Sequence, residues 1–396
     1  MNNKISRRAV LGIGATGGLT AGLGLTMGSL VLSSPARAEG PAKVGLLIPQ
    51  SGPAALFGPS SKNCADLAVE EINARGGLNG RKIELVVRDA GVAPAEASQT
   101  ALKMWKGDGV EAFVGMHDSA VRGALVSLFK GQVPYIYTPT YEGGECGAGT
   151  FVLGETPMQQ LEPVVPWLAK ERSLKRWYLI GNDYNWPRDT NTTAKKYIAA
   201  TGGSVVGEDY LPFTVDNFDA NLAKIRESKA DAVLITLVGG ASVGFNRAFA
   251  SFGMADKVLR LGTLIEENTL TGIGAQNSRN LFSSAGYFAG LQTAQAVGLE
   301  KRYAGKFGDK APVMNALAES CYEGMLLLES MAKNAGSLQV KKIESIADGL
   351  RYDGPRGRTV MHNRHATKDI FLARAEGATF KIVQSFKQIG AGQSCK

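Results

Sequence analysis

Three short segments carry side chains suited to binding chemistry, and none carries a complete catalytic set. Gly115-Met116-His117-Asp118-Ser119 puts an imidazole, a carboxylate and a hydroxyl side by side. Contiguous residues on one turn diverge, whereas a nucleophile, its base and the orienting acid must converge from separate elements. Asp118 or Ser119 is expected instead to cap the helix that follows, and the Ser119 hydroxyl is a plausible donor to a ligand. The second segment, TPTYEGGEC from Thr138 to Cys146, leaves an apolar run with Tyr137 and Tyr141 flanking Pro139. The third, Gly181-Asn182-Asp183-Tyr184-Asn185-Trp186-Pro187-Arg188, closes another apolar run. Aromatic rings at strand ends make rigid walls that also hydrogen-bond.

Three further turns could face the same ligand. In Pro49-Gln50-Ser51-Gly52-Pro53-Ala54-Ala55-Leu56-Phe57-Gly58, small residues and the Ser51 hydroxyl allow close approach. Leu237-Val238-Gly239-Gly240 offers bare backbone before a helix, with Gly239 as the contact. In Leu264-Ile265-Glu266-Glu267-Asn268 one carboxylate, taken as Glu267, could accept from an ammonium or amide, while the other starts a helix. No Walker lysine is present, and no G-x-G-x-x-G follows a strand after residue 38. His362 and His365 have no third ligand nearby. The expectation is a protein that is not an enzyme and uses no metal and no cofactor.

The elements that must position these segments alternate short apolar runs with longer amphipathic stretches, the pattern of βαβ units on parallel sheets. KVGLLIP, KIELVVRDA, EAFVG, VPYIYT and TFVLG read as strands, separated by helices such as SSKNCADLAVEEINARGG. A second set follows, with QQLEPVVPWLAKERS and NTTAKKYIAATG as helices and RWYLIGND, SVVGEDYLP, ADAVLITLV and VLRLGT as strands. The chain turns helical again from Gln292, and ends in short strands near a hairpin. Two α/β lobes follow, crossed near 140 to 157 and again near 286, with a cleft at the carboxyl ends of the strands.

The first 38 residues stand apart as an export signal. Ser6-Arg7-Arg8-Ala9-Val10-Leu11 looks like a twin-arginine translocation signal, a Gly-rich apolar stretch follows, and Ala36-Arg37-Ala38 is a small-x-small cleavage site. Cleavage there removes Lys4, Arg7, Arg8 and Arg37 and no acid, which takes the formal net charge from +8 to +4 and leaves 358 of the 396 residues. That charge is dispersed, so nucleic acid is not an expected partner. Cys64, Cys146, Cys321 and Cys395 lie far apart, and the sequence leaves their pairing open, although a helix-borne Cys64 or Cys321 suits a buried thiol.

KVGLLIPQSGPAALFG, ADLAVEEINARGGLNGRKIELVVRD and DGPRGRTVMH, in that order, resemble the periplasmic solute-binding proteins of ABC importers of the branched-chain amino acid type. The resemblance implies the type I fold: two Rossmann-like lobes of parallel sheet joined by a three-strand hinge with a cleft between. It places one lobe at 39–157 plus 287–363 and the other at 158–286 plus 364–396. YTPTYEGGEC and GNDYNWPRDTN are most similar to the branch that binds urea and short amides. A branched-chain or other amino acid, or a ligand-sensing regulator on the same fold, stands as the alternative. The implied contacts are Ser119 or Asp118, Tyr137 and Tyr141, Tyr184 or Trp186, Gly239 and Glu267, to which the loops add Ser51 and Pro139. The implied partners are a small-molecule solute and an inner-membrane permease, with the mature protein a periplasmic monomer.

Overall fold

A computed structural model describes residues 40–392 and Cys395. The twin-arginine segment, its cleavage site and residue 39 lie outside the described residues.

The first strands are β1 (Ala42–Ile48), β2 (Ile83–Asp89), β3 (Ala112–Gly115), β4 (Tyr135–Tyr137) and β5 (Thr150–Val152). Between them run α1 (Gly58–Ala74), α2 (Pro94–Leu102) and α3 (Ser119–Phe129). Next come α4 (Pro157–Leu161), α5 (Val164–Arg172), β6 (Arg176–Asn182), α6 (Asn185–Ala200), β7 (Ser204–Leu211), α7 (Asp219–Glu227), β8 (Ala232–Thr236), α8 (Gly239–Ser251), β9 (Leu259–Gly262), α9 (Glu267–Ile273) and β10 (Leu281–Ala285). The chain closes with α10 (Ala294–Phe307), α11 (Ala316–Ala335), α12 (Val340–Ala347), β11 (Arg351–Gly354), β12 (Gly357–His362), β13 (His365–Glu376) and β14 (Thr379–Ile389). β3, β8 and β9 are buried along their whole length, as parallel strands covered by helices on both faces must be.

The strand order β2-β1-β3-β4-β5-β13-β10-β9-β8-β6-β7 resolves into two parallel halves that share one strand. β13 meets β5 in parallel at His365 and Val152, then runs antiparallel to β10 from Phe371 to Arg374. The chain therefore passes between the halves after β5, after β10 and along β13. At these passages five buried side chains form an ion cluster. Arg356 contacts Glu155 (2.7 Å), Glu319 (3.0 Å) and Glu323 (2.5 Å), and Lys368 lies 3.5 Å from Glu155. Glu155 follows β5 and Lys368 sits on β13, and a side chain at Gly286, just after β10, would strike both Glu155 and Arg356. Burial pushes the Glu319 carboxyl well above the usual range. Its neutral form then leaves two carboxylates facing two cations.

Local differences from the sequence expectation have local causes. The single helix expected over 159–173 is split into α4 and α5, with Pro163, which has no amide hydrogen, between them. Conversely, α6 begins at Asn185 and takes Trp186 and Pro187 into its first turn, where a missing amide costs nothing. The terminal strands are a long hairpin of 12 and 11 residues, and β11 and α12 are additional elements.

Candidate functional site

At the carboxyl ends of the strands the two halves enclose a cavity of about 420 Å³. The turns after β1, β2, β3 and β4 contribute Phe57, Val92, Met116, His117, Asp118, Ser119, Tyr137 and Pro139. The turns after β6, β7, β8 and β9 contribute Tyr184, Trp186, Phe213, Val238 and Leu264, and Leu317 from the start of α11 completes the apolar lining. Tyr184 sits 5.0 Å from Phe213 and 6.2 Å from Trp186, ring centre to ring centre, so the second half supplies one aromatic wall. The buried Trp186 indole nitrogen has no hydrogen-bond partner among the described residues.

The polar end is built on the first turn of α3. Asp118 is its N-cap, in extended backbone, and its carboxylate accepts from the Val121 amide at 2.8 Å. Burial raises the Asp118 carboxyl above its ordinary value, against the pull of that amide. His117 is buried, and that burial pushes its imidazole down to about 4. The neutral ring has its Nδ1 3.1 Å from the Asp118 carbonyl oxygen, an acceptor, so Nδ1 carries the proton. Nε2, 3.0 Å from the Tyr135 hydroxyl, is then the acceptor. Tyr137 donates its hydroxyl to the His117 carbonyl at 2.7 Å.

Behind Ser119 lies a compact ion group. Arg122 donates to Glu142 at 2.7 Å and to Glu145 at 3.2 Å, with all three side chains at or below 10 % exposure. The Ser119 hydroxyl donates to Glu142 at 2.5 Å and accepts from Arg122 at 3.1 Å. Asn185 of the second half donates to the same Glu142 at 2.7 Å. Arg122 is thus covered by two carboxylates, and the Ser119 proton is already committed.

Of the residues singled out from the sequence, Asp118, Ser119, Tyr137, Pro139, Tyr184 and Trp186 come together on this cavity. Ser51, Tyr141, Gly239 and Glu267 are not among its lining. Ser51 is exposed, its amide held by Asp89 at 3.3 Å. Tyr141 is buried one layer further back, with its hydroxyl on the His365 ring and its own ring 4.7 Å from the Arg122 guanidinium. Gly239 has φ 54°, and a Cβ there would collide with the Pro53 carbonyl oxygen of the other half. That carbonyl accepts from the Gly240 amide at 3.3 Å, so the glycine pair is a contact between halves. Glu267 is buried and accepts from the Ala289 amide at 2.7 Å. Burial, reinforced by the neighbouring Glu266 charge, pushes the Glu267 carboxyl up to about 8. Glu266 is the cap of α9, receiving the amides of Asn268 (2.8 Å) and Thr269 (2.7 Å).

Phe57, Met116 and Leu264 sit inside segments already singled out but were not chosen. Phe213 and Leu317 carried no signal, because an apolar residue after a strand or opening a helix looks the same whether it faces a core or a cavity. Cys146 is bonded to Cys395 across 249 residues, while Cys64 and Cys321 are buried free thiols.

Residues 41–379 match the periplasmic binding protein family. Among curated relatives, the Leu/Ile/Val-binding protein homolog 6 of Brucella melitensis is 24% identical over 365 residues, covering 88% of this chain and 92% of the relative. The Leu/Ile/Val-binding protein BraC3 of Rhizobium johnstonii is 28% identical over 194 residues, 48% of this chain and 53% of that one. Among solved structures, a solute-binding protein of an ABC transporter from Rhodopseudomonas palustris HaA2, in complex with p-hydroxybenzoic acid, aligns with TM-score 0.79 at 22% identity, covering 89% of this chain and 98% of that one. The branched-chain amino acid binding protein LivJ from Streptococcus pneumoniae, in complex with isoleucine, aligns with TM-score 0.77 at 20% identity, covering 88% and 99%. The chain, with two sheet halves, a cleft at their strand ends and a family match over nearly all its described length, belongs to the periplasmic binding protein family, with the type I fold.

Proposed function

We propose that the chain is the extracytoplasmic solute-binding component of an ABC importer, capturing a small organic solute with a compact apolar body and handing it to an inner-membrane permease. The observation that carries this is the cavity itself, walled by Phe57, Met116 and Tyr137 from one half and by Tyr184, Trp186 and Phe213 from the other. A solute that touches both walls stabilises the closed arrangement over an open one, and no bond needs to be made. In this proposal residues 39–157 with 287–363 and 158–286 with 364–396 are the moving lobes, and the mature chain starts after Ala38 in the periplasm as a monomer.

Urea or a short amide, the first expectation from sequence, suits these walls poorly. Asp118 is the one acid on the lining to accept its amide hydrogens, and those facing Phe, Met and Leu side chains stay unpaired, at about 1–3 kcal/mol for each group. A branched-chain amino acid is the second reading, favoured by the apolar walls and by the naming of the curated relatives. Against it stand the committed Ser119 hydroxyl, leaving no serine for a carboxylate, and the position of Glu267 away from the cavity. A thermal-shift screen of the mature protein against urea, acetamide, leucine, valine, benzoate and small apolar amines decides between them, because a bound solute raises the melting temperature by mass action. A rise with urea alone would refute the apolar assignment.

A further inference from the structure

The sign of the charge facing the cavity is set by few groups. Asp118 is the only acid among the lining residues, and none of them is a lysine or arginine. The neighbouring cation, Arg122, is held by Glu142 at 2.7 Å and Glu145 at 3.2 Å, so it has no charge to spare for a ligand anion. The N-terminus of α3 would ordinarily attract an anion, but the Asp118 carboxylate already occupies its cap. The Ser119 hydroxyl, the other donor at this end, points its proton at Glu142. Three carboxylates against one guanidinium therefore leave the polar end net negative.

The same cavity is lined by aromatic side chains from both halves: Phe57 and Tyr137 from one, Tyr184, Trp186 and Phe213 from the other. Aromatic faces are electron-rich, and a ring-lined box beside a carboxylate is the arrangement that holds an alkylated ammonium, whose diffuse charge and apolar surface are both matched. A carboxylate in the same place would meet Asp118 and the ring faces with no cation to pair.

We propose that the solute is a small alkylated ammonium ion, its charge held against Asp118 and its methyl or methylene groups packed on the rings of Tyr137, Tyr184, Trp186 and Phe213. This rests on the cavity being the solute site, as proposed above.

The test uses the mature protein and calorimetric titration with tetramethylammonium, choline, the neutral isostere of choline in which carbon replaces nitrogen, benzoate and leucine. The quaternary ions are expected to bind, with choline at least about tenfold tighter than its neutral isostere, the factor expected of a desolvated cation–ring contact. Asp118→Asn should lower choline affinity about tenfold or more while the unliganded protein melts almost as before, since asparagine caps a helix as well as aspartate. Trp186→Leu, which keeps an apolar wall but removes a ring, should weaken choline more than it weakens the isostere. Silence towards both quaternary ions at millimolar concentration overturns the inference, as does equal binding of choline and its isostere. If benzoate or leucine binds in their stead and Trp186→Leu abolishes that binding, capture at this cavity stands with a different solute. If Trp186→Leu leaves such binding untouched, the capture site itself has been misplaced.

Discussion

Gly239→Ala should separate closure of the two halves from folding. Gly239 opens α8 with φ 54°, a left-handed conformation in which a side chain costs about 1–2 kcal/mol wherever it occurs. That cost is common to open and closed forms and will be read in the melting temperature. The second cost belongs to the closed form alone. An added Cβ would run into the Pro53 carbonyl oxygen, which also accepts the Gly240 amide at 3.3 Å. Relieving such an overpacked contact costs about 1–3 kcal/mol, and pushing the halves apart also gives up the Gly240 bond. Charged to the closed state only, this weakens solute binding by about 5- to 150-fold. The assay is calorimetric affinity for the solute found by the thermal-shift screen, with the radius of gyration by small-angle scattering in saturating solute. Gly240→Ala is the control, because no atom beyond its chain neighbours and its own helix backbone lies within 4 Å of its Cβ position and its amide is retained. If Gly239→Ala binds like the unmodified protein, or if Gly240→Ala loses as much, the Pro53 contact is not part of closure.

Other expectations follow from buried charge. Arg356→Met leaves Glu323 without its cation and Glu155 with Lys368 alone, and should cost about 3–5 kcal/mol in urea unfolding. Glu319→Gln, replacing a carboxyl that burial already drives towards its neutral form, should cost under about 1 kcal/mol, and the reverse order would disprove the proton assignment. Glu267 titrates near 8 when folded against an ordinary 4.5, so the folded state holds more protons through that interval and stability falls as pH rises across it. The buried His117 and His365, both held below their ordinary value, add a slope of opposite sign that fades above about pH 7.5 and is shared by both proteins, so between pH 6 and 8 the unmodified protein minus Glu267→Gln should differ by up to about 1.4 kcal/mol per pH unit, and no difference would refute the assignment. Thiol titration of the denatured protein should count two groups before reduction and four after, and four at the outset would exclude the Cys146–Cys395 bond.

The alternation of strands and helices was legible because parallel strands buried on both faces read as short apolar runs between amphipathic stretches. The location of a cleft was legible for the same reason, since strand ends and turns can be named once strands are known. Side-chain direction was not. Tyr137 and Tyr141 flank one proline, yet Tyr137 reaches the cavity, whereas Tyr141 is packed behind it against His365, a residue 224 positions away. Nothing near Ser119 in sequence shows that Glu142, 23 residues on, takes its proton. Local chemistry marked Glu266 and Glu267 as one cap and one free acid, and the cap is indeed Glu266. It could not show that the other acid turns inward to the Ala289 amide.

This distribution of polar groups bears on how the protein can be selective. His117, Tyr137 and Ser119 all border the cavity, but each spends its hydrogen on a protein acceptor: the Asp118 carbonyl, the His117 carbonyl and Glu142. A solute rich in donors and acceptors would have to break those bonds to be recognised, and each broken bond leaves a buried group unpaired. In the proposed capture, selection is then left to ring geometry, to the Asp118 charge and to the fit between halves. Glu142 joins the last two, because it holds Arg122 and Ser119 in one half while accepting Asn185 from the other. The carboxylate that helps cancel the Arg122 charge is thus also a point of contact between the halves, so the net-negative polar end and the proposed closed arrangement are held by the same side chain.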